Sequence, residues 1–289
     1  MTMEYAGGSR LVVVGIAALD ARRSLVAWAA DEAAARGAEL RLVSARPAPA
    51  APDQYLPTDP APAHRAAAER ELAEMAAYAH TRRTGLVVST ELTFGLAAEV
   101  LRTAAEDAEL LVVGADEANP VTEAVSGSVP GDLLTTAPCP LAVVPRDEHV
   151  VTEVAPVVVA LDEHGTAQAA VSYAFAAAAR SGRPLTVLHC LPPGPRDTRG
   201  TVEQALAEYR GRHPDVTVTD DIVRGDPRHV LTDLSRNAAL LVVGSRGRGR
   251  LASSLLGSVS RHLIRTSGCP VVVARVHKEA RHHVSASGG

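Results

Sequence analysis

Residues 239–260 read Ala-Leu-Leu-Val-Val-Gly-Ser-Arg-Gly-Arg-Gly-Arg-Leu-Ala-Ser-Ser-Leu-Leu-Gly-Ser-Val-Ser. A short apolar run ends in a turn containing Gly244 and Gly247; after nine intervening residues, Gly257 and Ser258 open what the pattern predicts as a helix from Val259. Strand, glycine turn and helix start are the elements of a phosphate cradle. Glycines let the main chain approach oxygens closely, and the N–H groups of a helix start carry partial positive charge. The binding candidates in this stretch are Gly244, Ser245, Arg246, Gly247, Arg248, Gly257, Ser258, Val259 and Ser260. The spacing is not that of a Walker loop, which needs Gly-Lys-Ser/Thr, nor of a G-x-G-x-x-G dinucleotide turn.

The same stretch occurs earlier in altered form, because the chain is an internal duplication. Val12-Val13-Val14-Gly15-Ile16-Ala17 superposes on Val157-Val158-Val159-Ala160-Leu161-Asp162 at an offset of 145, which also carries Gly37 onto Gly182 and Leu40 onto Leu185. From Gly95 and Gly225 onward the offset is 130: Leu111 to Gly114 matches Leu241 to Gly244, Gly127-Ser128-Val129 matches Gly257-Ser258-Val259, and Cys139-Pro140 matches Cys269-Pro270. The first copy therefore holds 15 additional residues between its second and third strands. They coincide with the Ala/Pro-rich stretch Pro47 to Pro62, which reads as a loop. The expected domains are 1–149 and 150–289, with a fraying tail at 277–289.

Within the second copy, valine-rich runs alternate with helical patterns. Strands are expected at Pro156–Leu161, Leu185–Cys190, Val216–Val223, Leu240–Val243 and Val271–Ala274. Helices are expected at Thr166–Arg180, Thr201–Arg212, Pro227–Asn237 and Val259–Arg265, the third opened by its proline. Five strands with crossover helices make an α/β domain with a parallel sheet covered on both faces, and ligands of such sheets gather at the carboxyl ends of the strands.

Composition excludes several classes of function. The formal net charge is −4, and no basic run argues for nucleic acid or a membrane surface. The Arg-Gly-Arg-Gly-Arg spelling at 246–250 is short and lies between a strand and a helix, unlike an RNA-binding tail. Apolar runs fall short of a membrane span, Met1 to Arg10 lacks a signal-peptide core, and three scattered cysteines make no disulfide framework. A reduced cytoplasmic compartment is expected.

The pattern Gly244-x2-Gly247-x9-Gly257-Ser258, with Ser267 to Val273 behind it, resembles the nucleotide-binding signature of the universal stress proteins. Residues 157–162 and Val223 to Pro227, which include Gly225, resemble two further segments of that family. The resemblance implies two tandem doubly wound parallel five-stranded sheets, Rossmann-like and of the adenine nucleotide alpha hydrolase type. Members pair through their final strands, so it implies an internal pseudo-dimer and allows two chains to pair again as a homodimer. It also implies ATP as the ligand, alone or with Mg or Mn, an unidentified protein partner, and a stress-response role as a nucleotide-dependent sensor or regulator. On this resemblance Ala160, Leu161 and Asp162 stand at the adenine and ribose end, His189 and Cys190 where main chain reads the adenine edge, and the glycine loop over the phosphates. Asp162 is equally a helix N-cap by its own chemistry, and Arg246, Arg248 and Arg250 equally solvate a loop.

The first copy lacks these features. Asp162 corresponds to Ala17, Arg246 to Asp116, Gly247 to Glu117, Ser260 to Pro130 and His262 to Asp132. Carboxylates then stand where phosphates would lie; at about 4 Å and an effective dielectric near 20, each such contact costs on the order of 4 kcal/mol. One nucleotide per chain is expected. No catalytic residue or resident metal site is assigned. Asp226 and His229 approach the site in sequence but suit a cap and a solvated side chain, and Cys139 and Cys269 suit the core. Slow ATP hydrolysis and a nucleotide-free scaffold are the alternatives.

Overall fold

The computed structural model describes residues 10–17, 23–46, 61–115, 128–147, 151–161, 168–191, 199–245 and 257–275. Valine and leucine runs that have no polar face form the inner strands, since a strand covered on both sides gains from apolar residues at every position. In the first half these are β1 (Leu11–Gly15), β2 (Glu39–Arg46), β3 (Val88–Phe94), β4 (Leu110–Gly114) and β5 (Leu141–Val144). Between them run α1 (Arg23–Arg36), α2 (Ala61–Arg82), α3 (Ala97–Ala104) and α4 (Val129–Thr136). The second half repeats the order with β6 (Val157–Leu161), α5 (Gln168–Ser181), β7 (Leu185–Leu191), α6 (Arg199–Arg212), β8 (Val218–Arg224), α7 (Pro227–Ser235), β9 (Leu240–Gly244), α8 (Ser258–Thr266) and β10 (Val271–Ala274).

All ten strands lie in one sheet, in the order β3-β2-β1-β4-β5-β10-β9-β6-β7-β8. Each half is parallel; the halves meet where β10 runs antiparallel to β5, with Val271 opposite Val143, Val272 opposite Ala142 and Val273 opposite Leu141. The internal pseudo-dimer is thus one continuous sheet. Its two apolar cores, one on each face, both draw residues from both halves. One contains Val12, Leu42, Phe175 and Val242, the other Leu101, Leu133, Leu231 and Leu263. The second face is covered by a row of helices in the order α3, α4, α8, α7.

Polar ties also cross the junction. The buried Arg36 guanidinium donates to the Tyr173 hydroxyl at 2.7 Å and pairs with Glu32, while Arg10 donates to the Arg36 carbonyl at 2.9 Å. Arg275, just past β10, donates to the Ala137 and Leu133 carbonyls at the end of α4, at 3.2 and 3.4 Å. A cation is favoured there because a helix end carries partial negative charge.

One expectation is corrected. The Pro47–Pro62 stretch does not remain a loop to its end, because α2 begins at Ala61 with Pro62 in its first turn, where the missing N–H costs nothing. Residues 47–60 lie outside the described residues.

Candidate functional site

In the second half the strand order reverses between β6 and β9, which leaves a crevice at their carboxyl ends. On the α7–α8 side of the sheet Ala160, Cys190, Val223, Val230 and Val259 are all partly buried against the core of that face. Strand alternation sends Leu161 and His189, which are register partners, to the opposite face, where both are buried. The expected adenine-end residues therefore share one sheet edge but split between its two faces.

Gly244 and Ser245 follow β9 and are half-buried; the Ser245 N–H donates to the Ala274 carbonyl at 3.1 Å. The start of α8 lies beside them. Gly257 occupies the N-cap position with no side-chain cap, and Ser258 is the first helical residue, one earlier than expected. The Arg261 N–H reaches the Gly257 carbonyl at 3.3 Å, whereas the N–H groups of Ser258, Val259 and Ser260 have no acceptor among the described residues. Ser260 is 3% exposed, and its hydroxyl donates to the Gly244 carbonyl at 3.3 Å. That hydroxyl ties the helix to the strand end; what Ser260 leaves open is its main-chain N–H.

Gly225 has φ +152, a conformation that disfavours any side chain, and so turns β8 into α7. Asp226 then caps α7, accepting from the Arg228 N–H at 2.9 Å and from the Arg228 guanidinium at 2.6 Å. Those bonds, the guanidinium first, hold its carboxyl well below the usual carboxylate range. His262 is held below the usual histidine value by burial and then by the charges of Arg228 and His229. Burial pushes the Cys190 thiol up to about 11, with the Asp226 charge adding to it. Asp162, Arg246, Gly247 and Arg248 lie outside the described residues. Among the described residues no group of three or more His, Cys, Asp or Glu side chains could hold a metal ion.

Among the described residues of the first half, side chains occupy the α4 start and the ends of β1 and β2. Ser128 caps α4, its hydroxyl accepting from the Gly131 N–H at 3.0 Å, and Pro130 has no N–H to offer. α8 begins one residue earlier than α4 does, so Gly257 takes the N-cap position that Ser128 holds in the first half and Ser258 lies inside the helix. At the end of β2, Arg46 donates to Ser44 at 3.1 Å and pairs with Glu71 at 2.5 Å, filling the place of the β7 end. A Cβ added at Gly15 would meet Leu101 Cδ1 at 2.7 Å, so α3 packs directly over the β1 end. A cavity of about 890 Å³ does exist in this half, between α3 and β2–β3, but Glu39, Glu91, Glu99, Glu106 and Asp107 line it against only Arg41 and Arg102. That lining repels a polyphosphate.

The family model described as the universal stress protein family matches residues 9–145 and again residues 154–275. The chain belongs to the universal stress protein family. It is 32% identical over 291 residues to universal stress protein Rv2623 of Mycobacterium tuberculosis, covering 93% of this chain and 98% of that one. Universal stress protein Rv2005c of the same species is 33% identical over 205 residues, 66% of this chain and 70% of its own. Among solved structures, a universal stress protein from Archaeoglobus fulgidus matches with a TM-score of 0.69 at 20% identity, over 91% of this chain and 96% of that one. A putative universal stress protein from Pseudomonas aeruginosa gives 0.61 at 17% identity, over 93% and 94%. These matches span both halves, as a tandem universal stress protein requires. No described helix of this universal stress protein is long and apolar enough to cross a membrane.

Proposed function

We propose that this tandem universal stress protein binds ATP at the carboxyl ends of β6 and β9, one nucleotide per chain. Occupancy of that site biases a conformation or a partner contact in a cytoplasmic stress response. The observation that carries the reading is the start of α8: three main-chain N–H groups without acceptors among the described residues, beside Gly244 and Ser245, at the crevice where the strand order reverses. Such a helix end attracts an anion through its donors and its dipole together. In this proposal Gly244, Ser245, Gly257, Ser258, Val259 and Ser260 form the phosphate end, joined by Arg246, Gly247 and Arg248; Asp162 and the edge at Ala160, Leu161, His189 and Cys190 take the nucleoside. The first half stays empty, a reading supported by the Ser128 cap, Pro130 and the Arg46–Glu71 pair.

Mass analysis of nucleotide extracted from the purified protein, followed by calorimetric titration of the stripped protein with ATP, tests both parts. One ATP per chain is expected. Two per chain would overturn the assignment of the first half, and none would overturn the site.

A further inference from the structure

The row of helices α3, α4, α8, α7 carries charge of opposite sign at its two ends. On the α7–α8 side stand Arg228, Arg236, Arg261 and Arg265 against Asp226 and Asp233, a formal charge of +2 before His229 and His262 are counted. On the α3–α4 side stand Glu99, Glu106, Asp107 and Asp132 against Arg102, a formal charge of −3. Antiparallel pairing of β5 with β10 relates the two sides by an internal pseudo-twofold axis perpendicular to the sheet. Symmetry of the fold thus places an acidic patch and a basic patch at equivalent positions on one outer surface. Two exposed leucines lie in the same layer: Leu96 at the start of α3, 70% exposed, and Leu234 near the end of α7, 37% exposed.

We propose that this helical layer is the docking surface for a second copy of the chain, held face to face about a twofold axis that lies parallel to the strands. Such a surface has two isologous arrangements that keep the layers in register. An axis along the row of helices would set acidic α3 and α4 on their own copies. An axis along the strands sets α3 on the partner's α7 and α4 on the partner's α8, so that each acidic patch meets a basic one. The leucines select the same arrangement. The two halves run in opposite directions, so the start of α3 and the end of α7 lie at the same edge of the layer, and the strand-parallel axis brings Leu96 onto the partner's Leu234. Glu99 comes opposite the partner's Arg236 at that edge, and Asp132 comes over the partner's α8, where Arg261 and Arg265 stand.

The area sets the strength of the contact. Helices of eight or nine residues, at ~1.5 Å per residue and spaced about 10 Å apart, give a projected footprint on the order of 500 Å². A standard interface buries about 800 Å² of accessible surface per partner, so this dimer dissociates on dilution. Its charges are exposed, and with a Debye length of about 10 Å at 0.1 M it also weakens with salt.

Sedimentation velocity of the full chain tests the arrangement, independently of whether a nucleotide binds. The natural protein is expected to self-associate at low ionic strength and to dissociate as salt is added. E99K/D132K and R236E/R261E are each expected to sediment as monomers, because each meets its own copy with like charges. Mixed in equal amounts they are expected to regain the dimer, since on one side of the axis the basic α3–α4 of the first meets the acidic α7–α8 of the second, and on the other side the unchanged basic α7–α8 of the first meets the unchanged acidic α3–α4 of the second. A natural protein that stays monomeric at every concentration and salt would overturn the proposal; so would dimers of either variant alone, or a mixture that stays monomeric. If a double variant melts early, Glu99→Lys and Arg236→Glu singly carry the same test.

Discussion

Replacing Ser260 by proline transplants into the second half the residue that the first half carries at Pro130. Two things are removed: the open main-chain N–H in the first turn of α8, and the hydroxyl that donates to the Gly244 carbonyl at 3.3 Å. The helix itself tolerates the ring, because first-turn N–H groups have no helical acceptor, and α4 holds Pro130 in the same turn. Loss of the neutral hydroxyl bond costs about 1 kcal/mol of stability. Loss of an N–H to an anionic phosphate costs about 1.5–3 kcal/mol, which is a ten- to hundredfold weaker ATP affinity. Ser260→Ala removes the hydroxyl alone and separates the two effects. Thermal melts should show both variants about equally destabilised, whereas calorimetric titration should show weakened ATP binding chiefly in Ser260→Pro. Equal ATP affinities in the two variants, with the fold intact, would refute the assignment of the α8 start as the phosphate site.

Four other outcomes follow from particular contacts. Ser128→Ala removes the α4 cap and should lower stability by about 1 kcal/mol in a denaturant titration, whereas Ser258→Ala, which caps nothing, should leave it within about 0.5 kcal/mol. Tyr173→Phe takes away a buried hydroxyl bonded to the Arg36 guanidinium and should cost about 2 kcal/mol; the melt should stay a single transition, because both cores span both halves. The depressed Asp226 pKa means that its contribution is present above the unfolded value of about 4 and lost as pH falls through the folded one, so the gap in melting temperature between the natural protein and Asp226→Asn should narrow below about pH 4. Burial pushes the Cys139 thiol up to about 12 and the Cys269 thiol up to about 11, so in a thiol-reagent assay near neutral pH both should stay unlabelled until the protein unfolds.

The sequence made the strands legible because a doubly covered strand is apolar at every position, and β10 falls at Val271–Ala274 as its valine run indicates. Helix ends were less legible. α8 begins one residue early, because hydroxyls and glycine supply several competing starts within a turn, and Thr166, expected to open α5, lies outside the described residues. The direction of pairing between β5 and β10 cannot be read from residues at all: a short valine run suits parallel and antiparallel neighbours alike, and the family resemblance implies the pairing of the final strands but not its direction. At the site, the glycines and serines were readable as candidates, but Ser128 and Ser258 look identical in sequence. Whether each hydroxyl closes its helix depends on where the helix starts: Ser128 is the N-cap of α4, whereas Gly257 is the N-cap of α8 and Ser258 its first helical residue.

The same junction explains why a half without a binding signature is still required. β10 is four residues long, wholly buried, and takes one neighbour, β9, from its own half and the other, β5, from the first half. Without the first half, Val271 to Val273 would present a flat apolar edge with unpaired N–H and C=O groups, the kind of edge that recruits other chains. Arg275 would lose the α4 carbonyls, and Arg36 would no longer meet Tyr173. The first half therefore covers the edge beside the β9–α8 crevice. On the proposed one-nucleotide reading its own crevice is released from binding, and Pro130, Asp132 and the Ser128 cap can occupy positions that a bound phosphate would otherwise claim. A duplicated sheet with one open and one closed helix start is the physical form of that division.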